Sequence, residues 1–206
     1  MSNIVIFFVM LSLASSSGRA KGSYKIPEEC TKLECAPYKV VKTMKGFEVR
    51  SYDPSNWIAT EFSGRSLGNF YLPFCKLFGY IEGRNEMKTR MKMTAPVMVD
   101  VSNDVDGSKA ASFVVHFYLE KEYQSRAPAS KEAQIVKLPK HRFAAVRRFG
   151  GLMNDTSIPL QALALKRSMK RKGLSSPVNG YSVAGYDGPE VVTNRVNEVI
   201  MWFDGM

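Results

Sequence analysis

The stretch Asn85-Glu86-Met87-Lys88-Thr89-Arg90-Met91-Lys92-Met93-Thr94-Ala95-Pro96-Val97 decides how this chain is read. Odd positions carry Met87, Thr89, Met91, Met93, Ala95 and Val97; even positions carry Lys88, Arg90, Lys92 and Thr94. Successive side chains of a strand point to opposite faces, so the spacing predicts a strand with one soft apolar face and one cationic face. Pro96 removes a backbone donor, which suits an edge or a strand end. Met91 and Met93 have the chemistry of soft iron ligands, but their place in an alternating strand makes core packing the stronger reading.

Upstream of that stretch, Tyr38 to Lys45 reads as a strand, Gly46 as a turn, and Phe47-Glu48-Val49-Arg50-Ser51-Tyr52 as a second, alternating strand. Asp53-Pro54-Ser55-Asn56 is turn chemistry before a third strand, Trp57 to Phe62, ended by Ser63-Gly64. Leu67, Phe70, Tyr71, Phe74, Leu77, Phe78 and Ile81 share one helical face, with Ser66 as N-cap and Gly83 as stop. Downstream, a polar loop from Ser102 to Ala111 precedes a strand at Ser112 to Leu119. Strands are predicted at Ala133–Leu138 and Arg142–Phe149. A helix carrying Ile158, Ala162, Leu165 and Met169 follows, capped by Ser157 and ended near Gly173. Tyr181–Ala184 and Glu198–Phe203 close the chain as strands. Trp57-Ile58-Ala59 and Gly64 recur, at the same spacing, as Phe143-Ala144-Ala145 and Gly150. That suggests two β-α-β-β units sharing one antiparallel sheet, an α+β fold with both helices laid on the sheet. An unrelated α+β sandwich with the same elements is the alternative.

With 206 residues and a 45% hydrophobic fraction, one globular core is the default. Residues 1–20 read as a secretory signal peptide: an apolar run from Ile4 to Ala14, then Ser15, Ser16, Ser17, Gly18 and Ala20. Residues 21–37 read as an irregular N-terminal arm, and secretion is the expected localisation. Cys30 and Cys35 are then a disulfide candidate, Cys75 is a small hydrophobe within the first helix, and Asn154-Asp155-Thr156 is a glycosylation sequon. The formal charge of +10 favours anionic partners such as lipid surfaces, phosphates or tetrapyrrole propionates. Basic residues are spread along the chain apart from Lys166 to Lys172, and no nucleic-acid motif accompanies them.

Three segments carry a family resemblance. They are Phe47–Tyr52 followed by Trp57; Tyr80-Ile81 through Asn85-Glu86 to Lys92-Met93-Thr94-Ala95-Pro96-Val97; and Tyr181, Ala184-Gly185-Tyr186, Pro189, Asn194-Arg195 and Asn197-Glu198-Val199. In this order they resemble the SOUL haem-binding protein family, over roughly residues 38–204. The resemblance implies a distorted antiparallel β-barrel built from two repeats, with two helices packed on it. It also implies binding of haem or a related tetrapyrrole, without an established reaction, against the first helix with basic residues at the propionates. Some members place a histidine between the Arg and Tyr of the first segment as an iron ligand; this chain has Ser51 there.

Haem binds without such a ligand if an apolar surface and nearby cations are present. Tyr71, Phe74 and Phe78 lie on neighbouring turns of the first helix, and Lys76 and Arg84 are the nearest cations. Core packing is the ordinary reading of the aromatics and a solvated helix face that of the cations; Tyr71, whose hydroxyl needs a polar partner, is the best candidate contact for iron or propionate. Of the two histidines, His116 reads as a satisfied or outward-facing strand residue and His141 as a solvated turn residue. No metal-site spacing, nucleophile elbow, P-loop or dinucleotide fingerprint occurs. Glu48, Glu61 and Glu198 sit on predicted strands, where alternation makes each solvent-facing. The expected role is a non-enzymatic, monomeric carrier, buffer or scavenger. The alternative is a secreted cationic interaction protein that uses the Ile158–Lys172 helix on anionic membranes or on a protein partner.

Overall fold

The computed structural model describes residues 24–64, 66–102 and 111–205. The signal peptide expected at residues 1–20 and most of the polar loop near 102–111 lie outside the described residues.

Eleven strands and two helices follow one another as β1 (Glu34–Cys35), β2 (Tyr38–Met44), β3 (Phe47–Tyr52), β4 (Ser55–Gly64), α1 (Tyr71–Ile81), β5 (Thr94–Ala95), β6 (Val97–Ser102), β7 (Ala111–Tyr118), β8 (Gln134–Leu138), β9 (Phe143–Phe149), α2 (Ser157–Lys170), β10 (Gly180–Gly185) and β11 (Asn197–Phe203). Nine strands form one curled antiparallel sheet in the order β2-β3-β9-β11-β10-β6-β7-β4-β8. The order is a palindrome about the β10–β6 pair once β2 is set aside. β3, β4, β6 and β7 of the first half exchange with β8, β9, β10 and β11 of the second, and α1 with α2. The predicted pair of β-α-β-β units is therefore present, each preceded by one further strand, β3 or β8. Each half lends its first strand to the other half's edge, β3 against β9 and β8 against β4.

Both helices lie on one face of the sheet, α1 over β4 and β7, α2 over β9 and β11. Leu77, Tyr80 and Ile81 of α1, and Ile158, Leu165 and Met169 of α2, pack there with Val49, Ile58, Val115, Phe117, Val199 and Phe203. The opposite face is covered too: Trp57, Met98, Tyr118, Val146, Ala184, Tyr186 and Ile200 form a second buried cluster, against which Cys30, Leu33 and Cys35 of the N-terminal arm pack. The described part of that arm holds a 3-10 turn at Glu28–Thr31, the Cys30–Cys35 disulfide and β1, which pairs in parallel with β5.

Two expectations about local structure change. The alternating stretch 85–93 is not a strand; only β5 and β6 are extended. Asn85 is buried and folds this segment into a loop. Its amide donates to the carbonyls of Tyr80 (2.9 Å) and Thr89 (2.7 Å), and its carbonyl accepts from the Thr89 N–H (3.1 Å). Alternation still sorts Met91 into the core and Arg90 and Lys92 toward water, while Met87 is exposed. Ser157 is not the N-cap of α2 but lies in its first turn. Asn154 supplies the cap, its side-chain oxygen accepting from the N–H groups of Thr156 (3.0 Å) and Ser157 (2.7 Å). Ser66 caps a 3-10 turn, Leu67–Phe70, that leads into α1. Gly83 ends α1 at φ +99°, the left-handed region that glycine enters at little cost.

Candidate functional site

The α1 surface expected to meet a ligand divides into three strips. Pro73, Leu77, Tyr80 and Ile81 are buried against the sheet. Phe74 is half-buried, with Phe117 edge-on at 5.2 Å, Phe70 at 5.5 Å and Phe78 stacked at 6.0 Å. Tyr71, Leu72 and Phe78 then face outward, at 70%, 72% and 42% exposure, a concentration of apolar area that a helix on a filled core does not need. Of the three aromatic candidates, Phe74 is thus shared with the core, while Tyr71 and Phe78 are displayed. Cys75, one turn after Tyr71, is a free, half-buried thiol, and its hydrogen bond raises the Tyr71 hydroxyl above its ordinary value.

The two cations flank this surface. Lys76 is exposed on the helix. Arg84 turns back along α1 and donates to the Cys75 carbonyl at 3.0 Å. Its guanidinium occupies the space over Gly79, where an added Cβ would lie 1.8 Å from it. Among the described residues neither cation is in an ion pair, so both charges remain open to an anion. Ser51 is half-buried on β3, and neither histidine is presented to a ligand. His116 is buried, with Nε2 3.0 Å from Asp100 Oδ2, and His141 pairs with Asp204 at 2.9 Å. Met91 is buried and Met93 packs against the core, in line with the core reading of both.

On the face away from the helices lies a site that sequence reasoning missed. Glu48 and Glu198, expected in solvent, are fully buried, as is Arg50; Glu61 alone is exposed as expected. Arg50 grips Glu198 with two parallel bonds, Nη1 to Oε2 and Nη2 to Oε1, each 2.9 Å, and donates from Nε to Glu48 at 2.9 Å. Arg148 adds a bond of 2.7 Å to Glu198, and the Tyr186 hydroxyl donates to the same carboxylate at 3.0 Å. The Tyr38 ring lies 4.0 Å beneath the Arg50 guanidinium. The arm closes the cluster: Tyr24 N–H donates to Glu48 at 2.5 Å, and Arg148 bonds the Lys25 carbonyl. Burial would raise the Glu198 carboxyl, but Arg50 and Arg148 outweigh it and hold it below the usual carboxylate range. Burial pushes the Tyr52 and Tyr186 phenols upward, so both stay neutral; Tyr52 accepts from Arg50 Nη1 and Tyr186 donates to Glu198. Two arginines balance two glutamates, which makes this a closed structural network and not an empty charge waiting for a ligand. The available signal was β11 itself. Asn197-Glu198-Val199-Ile200-Met201-Trp202-Phe203 is apolar at both parities, the mark of a strand covered on both faces.

Nearby, His116, Asp100 and Ser182 form a bonded row across β7, β6 and β10, with Ser182 Oγ 2.5 Å from Asp100 Oδ1 and accepting from Trp202 Nε1 at 2.8 Å. The carboxylate stands between the histidine and the hydroxyl, whereas an activated nucleophile needs the base against the hydroxyl. The row ties strands together.

A curled sheet from two exchanged halves of four strands and a helix each, with a displayed aromatic helix face and the three motif segments in place, defines a class. The chain belongs to the SOUL heme-binding protein family, whose model matches residues 33–202. Heme-binding protein 2 of Homo sapiens is 28% identical over 155 residues, covering 74% of this chain and 76% of that one. Heme-binding protein 1 of Xenopus laevis is 26% identical over 159 residues, covering 76% and 82%. The fold is also similar to the crystal structure of the EcmrR C-terminal domain, with a TM-score of 0.57 at 9% identity over 82% of this chain and 99% of that chain. A hydrolase from Listeria innocua is similar at TM-score 0.54 and 10% identity, over 79% and 93%. At such identities these two likenesses concern the fold alone.

Proposed function

We propose that this protein binds haem or a related tetrapyrrole on the outer face of α1, as a non-enzymatic carrier, buffer or scavenger in a secretory or extracellular compartment. The carrying observation is the displayed apolar face of Tyr71, Leu72 and Phe78, with Lys76 and Arg84 nearby and in no ion pair among the described residues, in a chain of this family. The flat ring lies on Phe78 and Tyr71 with Phe74 behind them, and Lys76 and Arg84 meet the propionates. A tetrapyrrole needs apolar area and charge compensation, and iron ligation adds to both. Histidine contributes nothing here, because His116 and His141 are engaged with carboxylates and Ser51 replaces the third. The Cys30–Cys35 bridge supports the compartment, since such bonds persist where the surroundings are oxidising.

Titration with haemin tests this. A saturable Soret change is expected, and it weakens in Tyr71→Ala and Phe78→Ala, whose exposed side chains leave folding intact. Imidazole should add to the bound haemin by filling an open axial position, without displacing it. Haemin binding that ignores both substitutions would place the ligand elsewhere, and no saturable change at micromolar haemin would end the proposal.

A further inference from the structure

A groove of about 570 Å³ runs between α2 and the segment that leads into β10. The α2 wall carries Pro159 and Leu163 toward its N-terminal end and Lys166 and Lys170 toward its C-terminal end; Met169 and Met201 form part of the floor. The α2 wall therefore runs from apolar to cationic, while the facing segment contributes Leu174 and Val178 together with Ser175, Ser176, Asn179 and Tyr181. From Pro159 to Lys170 the helix advances about 16 Å, at about 1.5 Å per residue. Lys166 and Lys170 are four residues apart, hence neighbours on one side of the helix. Both are exposed, neither is in an ion pair among the described residues, and no carboxylate lines the groove. Compensation of the helix dipole explains Lys170 in the last turn. It does not explain an apolar trough beside it, nor Leu163 left 44% exposed on its wall.

We propose that this groove is a second ligand site, separate from the α1 face, and that it takes a long-chain carboxylate: a single apolar tail along Leu163, Met169 and Met201, with one anionic head between Lys166 and Lys170. Polarity graded along the α2 wall suits a linear amphiphile, and the two lysines at its polar end select an anion.

Isothermal titration of the full chain with sodium oleate, kept below its micelle threshold, tests the site. One saturable event is expected. It should weaken by about tenfold or more in the Lys166→Glu/Lys170→Glu double variant, and oleylamine, with the same tail and a cationic head, should not bind. Circular dichroism confirms the variant's fold, which two exposed side chains do not control. Haemin titration should be unchanged in the double variant, and oleate binding unchanged in Tyr71→Ala. The proposal is overturned by absence of saturable oleate binding, by equal binding of oleylamine, or by binding to anionic vesicles with none to monomeric oleate. Displacement of oleate by haemin, one for one, overturns it as well, because the groove would then be the tetrapyrrole site. Oleate binding that persists when haemin fails to bind removes the α1 reading and leaves this one standing.

Discussion

Arg50, on β3, ties the first half of the molecule to β11 of the second. It is fully buried, and four of its five N–H donors are met by Glu198, Glu48 and the Tyr52 hydroxyl, which joins β3 to β11 across β9. A buried ion pair adds little net stability, but removing one partner strands the other's charge away from water. Arg50→Ala should therefore destabilise by about 3–5 kcal/mol, read as a lowered urea midpoint. The same network sets an acid limit. The Glu198 carboxyl lies below its ordinary value, and so does Asp100, which burial would raise but which the hydrogen bond and charge of His116 hold down. A carboxylate with a depressed folded pKa contributes stability that is complete above its unfolded value and lost as pH falls through the folded one. Denaturation midpoints should thus be flat near neutrality and fall below the ordinary carboxylate range. Glu198→Gln should be destabilised at neutral pH, with the gap from the parent narrowing in acid. A gap that widens in acid would contradict this assignment.

At the scale of elements, the informative pieces are those whose ends are set by side chains. Asn154 accepts two backbone N–H groups at the start of α2, a service that Ser157 was expected to supply. Asn154→Ala should cost about 1 kcal/mol, and Ser157→Ala less, measured by thermal unfolding. Asn85 holds the loop after α1 through three bonds to backbone and is itself buried. Asn85→Ala leaves those carbonyls without their donor and should cost about 2 kcal/mol. Because this loop joins α1 to the motif at Lys92–Val97, the variant should also weaken haemin binding if the α1 face is the site. The motif itself has a clear structural duty. Thr94 and Ala95 pair with Glu34 and Cys35, the Ala36 N–H donates to the Ala95 carbonyl at 3.1 Å, and Thr94 Oγ1 donates to the Tyr118 carbonyl at 2.6 Å. It is where the N-terminal arm docks.

For the whole molecule, that arm closes the face of the sheet that the helices leave open. Residues 24–36 reach from the Glu48–Arg148 cluster to β5, and the Cys30–Cys35 bridge shortens the loop between the two anchor points. A cross-link around so short a loop contributes about 2 kcal/mol in the chain-entropy account. Cys30→Ala/Cys35→Ala should lose that amount and expose the Trp57 and Trp202 side of the sheet, seen as faster quenching of tryptophan emission. The two helices occupy equivalent places in the two halves yet present different surfaces, aromatic on α1 and leucine with lysine on α2. A duplicated frame whose copies have diverged in this way supplies two distinct outer surfaces without disturbing the shared sheet.

Much of this was legible in the residues. The strands at Phe47–Tyr52 and Phe143–Phe149, both helices and the two-unit repeat follow from periods of two and 3.6 and from glycine stops, which are local properties of the chain. The cysteine pair was found from its closeness in a chain read as secreted, and the α1 stripe from its helical spacing; the family resemblance singled out the aromatics of that stripe as ligand candidates. The sequence could not say which of two alternating sets faces water when both faces of the sheet are covered. Glu48 and Glu198 were therefore expected in solvent, and only the arm and the curl of the sheet bury them. Nor could it distinguish a strand from a loop at 85–93, where Asn85 outweighs alternation through bonds to residues on either side of its own turn. The groove beside α2 is likewise formed by two segments that meet only in the fold. Local periodicity determines the elements; which surfaces are covered depends on contacts between residues far apart in the chain, and only the tertiary structure decided those.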